Sequence, residues 1–312
     1  MNTLTTVFSQ VGMLGIMLLI GYAVAKTGYI DIKIKDAISK LIVNLVLPCL
    51  IISSISAKDL KADLLGDLGT VLVMAVFCIA LMFCTGTLTA KLFRIPKESA
   101  TVHKLLATMG NVIFIGYPIL VAMYGEMGFF YAIIYWLLND LFLWTFGIVM
   151  LAKDKGEADV SFAKKLLNPN TISFSIAIFM FIFGIKLPPI VDSAVSGIGG
   201  LTTPLSMIFV GMALAAVDVK KTLKKWWIWI IAPLKLVGLP VLFIFLFKWI
   251  GIKEILIGVV VLEAAMPTQT VMTILANENK SDCDYAAVGL FITTLASLLT
   301  LPLVCWMLNL WL

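Results

Sequence analysis

Apolar residues in this chain fall into blocks of about 20 to 30, separated by short charged stretches. That is the pattern left by helices crossing a hydrocarbon core about 30 Å thick. Ten blocks fit: 5–26, 36–57, 68–92, 99–123, 127–152, 169–190, 193–217, 226–249, 254–277 and 284–311. Each must satisfy its own backbone within the membrane, so each is expected to be a helix. The longest polar loop, 153–168, leaves five blocks on either side. With an odd number per half, the second half enters the membrane in the opposite orientation from the first. The pattern therefore predicts an all-α membrane protein of ten transmembrane helices in two inverted five-helix repeats, 1–152 and 169–312.

The polar positions inside the blocks are not scattered. Spans 2 and 7 each carry a proline, Pro48 and Pro204. Span 4 sets Gly110, Asn111, Gly116, Tyr117 and Pro118 close together, and span 9 sets Glu263, Met266, Pro267, Thr268, Gln269 and Thr270 together. A proline removes one backbone donor and clashes with the turn before it, and glycine weakens the same stretch. Spans 4 and 9 should therefore break. Prolines alone do not locate a site, because Pro233, Pro240 and Pro302 also lie in apolar blocks. The coincidence of proline, amide and hydroxyl at matching places in two inverted halves does, since freed backbone groups must line a cavity or bind a ligand. The N-terminal end of each half-helix would offer partial positive charge to an anion.

Composition removes the alternatives. The chain is 61% hydrophobic and 13% charged, with mean hydropathy +1.07, against about 25% charged residues in soluble domains. Of the 23 Lys and Arg residues, all but Lys235 lie in the loops or toward the ends of the blocks, 17 on one side of the predicted membrane and five (Lys58, Lys61, Lys186, Lys248, Lys253) on the other. The positive-inside rule makes the 17 cytoplasmic and both termini extracytoplasmic, in a multi-pass protein of the cell membrane. The net charge of +5 is thus a topology signal and no sign of a nucleic-acid partner. Met1 to Ser9 lack the positive region of a cleavable signal, so the first block reads as a span. The five cysteines show no C-x-x-C spacing and read as packing residues. Neither H-E-x-x-H nor G-x-S-x-G is present, so the chain does not read as an enzyme.

Three ionisable residues lie deep in apolar runs: Asp140 beside Asn139 in span 5, Lys235 in span 8 and Glu263 in span 9. Each costs at least ~2.5 kcal/mol at a helix centre, so each is a functional candidate by default. Asp140 and Lys235, opposite in sign and similar in depth, read either as an ion-coupling pair or as a structural salt bridge. Glu263 adjoins a break and could bind a cation or carry a proton. His103, the single histidine, reads as an interfacial residue near the cytoplasmic end of span 4.

The five-plus-five layout, Asn44 to Pro48 in span 2, Gly110, Asn111, Gly116, Tyr117 and Pro118 in span 4, and Ala265 to Thr268 in span 9 together resemble the auxin efflux carrier family. That family includes bacterial permeases for malate and malonate and the PIN-FORMED transporters of plants. The short central loop is more similar to the prokaryotic type. The resemblance implies a scaffold of spans 1, 2, 6 and 7, a mobile transport domain of spans 3–5 and 8–10, crossed helices 4 and 9, and a homodimer through the scaffold. It implies a secondary active transporter of a small organic anion, a mono- or dicarboxylate, working by alternating access without a cofactor. The implied substrate site draws on Asn111, Tyr117, Pro118, Pro267, Thr268 and Gln269, with Asn44, Ser53 and Ser54 from the scaffold. Asp140, Asn139, Lys235 and Glu263 are the candidates for coupling to a proton or sodium ion. The placement of Asp140 and Lys235 resembles sodium/proton antiporters. Glu263 with Met266 resembles the sodium site of bile-acid symporters, although Pro267 and Thr268 depart from that pattern. A sodium-coupled symporter of a larger amphipathic anion is therefore the alternative, with a channel behind it.

Overall fold

The computed structural model describes residues 3–56, 65–154, 169–216 and 219–311. Most of the loop 153–168, with Lys155, Lys164 and Lys165, lies outside the described residues, as do Lys58 and Lys61. The described residues are helical almost throughout: α1 (Thr3–Lys26), α2 (Ile34–Leu41), α3 (Leu47–Ser56), α4 (Leu65–Leu92), α5 (Lys97–Thr108), α6 (Tyr117–Phe142), α7 (Ile148–Asp154), α8 (Pro169–Ile182), α9 (Pro189–Gly199), α10 (Thr202–Ala216), α11 (Leu239–Ile250), α12 (Glu254–Ala264), α13 (Val271–Glu278) and α14 (Cys283–Trp311). Short helical turns from Val219 to Gly238 lead into α11. Among the described residues, six stretches are long and apolar enough to cross a membrane: Ile34–Ser54, Gly66–Leu92, Phe130–Lys153, Pro189–Ala216, Trp226–Ile250 and Cys283–Trp311. Gly12–Lys26 and Pro169–Ile182 are shorter apolar helices. Exposed Ile16, Leu19, Leu88 and Leu299 give the outer faces a lipid-compatible surface, and Trp226, Trp229, Trp249 and Trp306 are exposed on it as well.

Prolines act here through the turn that precedes them. The residue four before Pro48 is Asn44, four before Pro118 is Phe114, and four before Pro240 is Leu236. Each lies in a widened π turn: Ile42–Val46, Val112–Gly116 and Leu234–Gly238. A π turn moves the carbonyl that the pyrrolidine ring would strike, so the chain continues with a bend instead of a full stop. Pro204 is also mid-span, within Pro189–Ala216, but it needs no widened turn because it occupies the first turn of α10, where no donor is lost. The expected span 169–190 also ends early, at Ile182, because Gly184 takes a left-handed φ of 63° and terminates the helix.

Packing sorts the helices into two groups. In one, α1 lies along α10, and α3 packs on α8 and α9. In the other, α4 packs on α5 and α6, and α12 lies between α6 and α11. The groups meet where α1 touches α6 and α14, and where α2 and α10 touch α13. The α1–α10 contact is backbone on backbone: a Cβ added at Gly211 would lie 2.0 Å from the Leu18 carbonyl oxygen, and one at Gly21 would lie 2.3 Å from that of Ile208. Small residues permit such an approach, a main source of helix association in lipid.

Candidate functional site: the crossing of two interrupted segments

The two segments predicted to break do so, and they break against each other. Helix α5 ends at Thr108 and passes into extended backbone at Met109, while α12 ends at Ala264 and, after a turn at Ala265, runs into the facing stretch 267–269. Gly110 and Thr268 form an isolated antiparallel β-bridge. The Asn111 N–H donates to the Pro267 carbonyl at 2.7 Å, and the Gln269 N–H donates to the Met109 carbonyl at 3.2 Å. Each segment thus supplies what the other lost when its helix opened, which is why irregular backbone is tolerated at this depth. Gly110 suits the approach, since a Cβ there would lie 3.2 Å from the Glu263 carbonyl oxygen.

Side chains from neighbouring helices complete the crossing. The Thr268 hydroxyl donates to the Leu106 carbonyl at 3.1 Å, and its N–H donates to Thr293 Oγ1 on α14 at 3.2 Å. Asn111 Nδ2 reaches Thr270 Oγ1 at 3.5 Å. The Gly110 N–H donates to Asn139 Oδ1 at 3.3 Å, while Asn139 Nδ2 donates to Gln269 Oε1 at 3.4 Å. Asp140 accepts from Gln269 Nε2 at 2.9 Å, Trp136 Nε1 at 2.9 Å and Asn139 Nδ2 at 3.2 Å. Neighbouring residues of one helix, Asn139 and Asp140, therefore hold both interrupted segments.

The charges are arranged differently from the expected pair. No hydrogen bond or ion pair joins Asp140 to Lys235. The Lys235 ammonium, 1% exposed, donates instead to the carbonyls of Thr108 at 3.1 Å and Ala107 at 3.4 Å. Those are the last carbonyls of α5, where the helix dipole favours a cation. The carboxylate of Asp140 is met by neutral donors from both segments' surroundings, so the two charges are satisfied separately. Glu263 is 1% exposed, and its Oε2 has no hydrogen-bond partner. A Cβ added at Gly116 would lie 3.2 Å from Glu263 Oε1 and 3.6 Å from Met266 Cγ, so carboxylate and thioether share one glycine-made recess.

These contacts describe two helices opened at the same place and bonded to each other in the interior of an apolar bundle. Sequence comparison gives the family. Residues 6–305 match the profile of a family described as membrane transport protein. The chain belongs to that family, the auxin efflux carriers. This carrier is 26% identical over 301 residues to an uncharacterised transporter of Methanocaldococcus jannaschii, covering 94% of this chain and 96% of that one. It is 24% identical over 292 residues to an uncharacterised transporter of Methanothermobacter thermautotrophicus, covering 92% and 94%. It is a multi-pass membrane transporter.

Of the residues singled out in the carrier's sequence, Asn111, Pro267, Thr268, Gln269, Asn139, Asp140 and Glu263 meet at the crossing, with Lys235 behind it. The side chains of Tyr117 and Pro118 lie outside those described. Among the described residues, Asn44 and Ser53 bond within their own helix, to the Lys40 carbonyl at 2.9 Å and the Leu50 carbonyl at 3.2 Å, and Ser54 is half-buried beside them. His103 faces the protein interior: it is 1% exposed and bonded to Thr89 Oγ1 and the Tyr285 hydroxyl. Thr270 joins the crossing as expected, whereas Trp136 and Thr293 touch it without having been singled out. Trp136 precedes Asp140 by four residues, one helical turn, and that spacing was the available signal.

Proposed function

We propose that this carrier is a secondary active transporter of a small organic anion, a mono- or dicarboxylate, with its substrate site at the crossing of 109–111 with 267–269. The observation that carries the reading is the reciprocal bonding of two interrupted segments. It brings amide and hydroxyl side chains beside the start of α13 at Val271, where the positive end of the helix dipole attracts negative charge. Ten spans in two inverted halves, a scaffold of spans 1, 2, 6 and 7 that forms a homodimer, and a moving domain of spans 3–5 and 8–10 would give alternating access. In the cell membrane, with both termini outside, the basic loops would face the cytoplasm.

Coupling to a proton or sodium ion is assigned to Asp140 and Glu263. Glu263 also favours the second reading, a sodium-coupled symporter of a larger amphipathic anion, because its Oε2 is an acceptor without a donor. A thermal-shift panel of organic acids in detergent, with and without sodium at two pH values, separates them, since a bound ligand raises apparent stability by mass action. The first reading expects a shift with a short mono- or dicarboxylate that Asn111→Ala removes without loss of fold. Shifts seen only with bulky amphipathic acids and only in sodium would transfer the assignment to the second. Undiminished binding and uptake of the active acid by Asn111→Ala would remove the site from the crossing.

A further inference from the structure

Away from the crossing, three helices meet carrying hydroxyls that find no partner. Ser39 on α2, Ser206 on α10 and Thr273 on α13 are 0%, 1% and 0% exposed, and their side-chain oxygens make no hydrogen bond. These helices pack against one another in all three pairings. Buried hydroxyls without partners are rare and costly, so three on one seam mark a surface that meets water or a polar ligand in another state of the protein. The seam starts at the crossing: Thr273 follows Thr270 by three residues and Asn277 follows Thr273 by four, so all three lie on one face of α13.

Its other end opens into a cavity of about 480 Å³ lined by Lys35, Asp36, Lys40, Glu278 and Lys280, with Cys283 at its edge. The lining carries three ammonium groups against two carboxylates, and of the further carboxylates near Cys283, Asp282 is paired with Lys225 at 3.1 Å while Asp284 has Lys35, Lys221 and Lys225 close by, so the cavity stays positive. Asp36 is further occupied, because its Oδ1 accepts from Asn277 Nδ2 at 2.9 Å. That bond joins α2 to α13, the two walls that must part for the seam to open. Lys40 lies one turn before Asn44, so the basic side of the cavity continues toward the body of the bundle.

We propose that this cavity is a second anion-binding site, an anteroom where Lys35, Lys40 and Lys280 capture a carboxylate before it follows the α2–α10–α13 seam to the crossing. The proposal rests on the organic-anion reading above. Charges at such a rim set capture more than turnover.

The test uses full-length protein in proteoliposomes with radiolabelled malonate, comparing wild type with Lys40→Gln/Lys280→Gln. In parallel, a background with Cys283 as its single cysteine is thiolated by an anionic and by a cationic methanethiosulfonate. Capture by the lysines predicts a KM raised about fivefold with turnover retained. It also predicts that Cys283 reacts faster with the anionic reagent, that malonate slows this reaction, and that the advantage falls in the double variant. An unchanged KM, or an anionic reagent with no advantage, overturns the anteroom while leaving the crossing in place. If wild type moves no malonate or other acid, the organic-anion reading fails, and malonate protection of Cys283 still decides whether the cavity takes an anion.

Discussion

Where α1 lies on α10, two backbones touch through glycine; where 109–111 crosses 267–269, two backbones touch through hydrogen bonds. The first contact leaves no room for a side chain at Gly21 or Gly211 and is flanked by apolar neighbours. The second is bridged by Thr268, Asn139, Gln269 and Asp140 and has the charges of Lys235 and Glu263 beside it. Dispersion holds the one, and it is lost as soon as the surfaces part. Hydrogen bonds hold the other, and a ligand's polar groups can take them over. On the proposed function, the work of keeping the fold and the work of binding sit in different parts of the bundle. Substitutions should separate stability from transport accordingly.

The largest effect is expected in the glycine seam. Gly211→Leu would drive a side chain into the Leu18 carbonyl and the Tyr22 amide, which is backbone that cannot step aside. Overpacking of that kind belongs with the rare substitutions that cost more than about 4 kcal/mol. The variant should be lost from the monodisperse peak in size-exclusion chromatography, with transport lost in proportion. A monodisperse, fully active Gly211→Leu protein would erase the distinction between the two contacts.

Lys235→Met comes next and should separate what Gly211→Leu destroys together. It deletes bonds worth about 1.5–3 kcal/mol from a charged donor, but it also removes a buried charge whose desolvation is costly, so the net change in stability is small. The carbonyls of Ala107 and Thr108 lose their cation, however, and the end of α5 beside the crossing loses its anchor. Transport of the active acid should fall at least about tenfold while the protein stays folded. Retained transport would make Lys235 a structural residue alone.

The sequence carried the breaks and their partners because proline, glycine and amide residues are conspicuous in apolar runs. Gly110, Asn111, Pro267 and Thr268 could be named from composition and the inverted layout. It could not carry Lys235's partner, because a backbone carbonyl is available at every residue and only the end of α5 decides which ones are free. The ion pair with Asp140 was the natural expectation from two opposite signs at one depth, yet neutral donors from Trp136, Asn139 and Gln269 serve the carboxylate instead. The partners of His103 are hidden for a similar reason: Thr89 and Tyr285, distant in sequence, make its buried setting. The seam's glycines were visible, but glycine is common in membrane helices, and nothing in the string pairs Gly21 with Gly211.

Thr268→Val is the mildest of these tests and the most specific to the crossing. Valine keeps the shape of threonine and tolerates the extended backbone of the bridge, so the bonds from Asn111 to Pro267 and from Gln269 to Met109 should survive. Only the hydroxyl bond to the Leu106 carbonyl disappears. One such bond is worth about 1 kcal/mol, and the carbonyl left behind is buried. The melting temperature should drop by about 2 °C, as a change of that size gives in larger domains. If the hydroxyl serves the fold alone, the KM for the active acid will stay where it is. If it also faces substrate, KM will rise several-fold, whereas Thr293→Val, one bond further out on α14, will lower the melting temperature and leave KM alone. Equal behaviour of the two variants would mean that the crossing, like the glycine seam, is there to hold helices together.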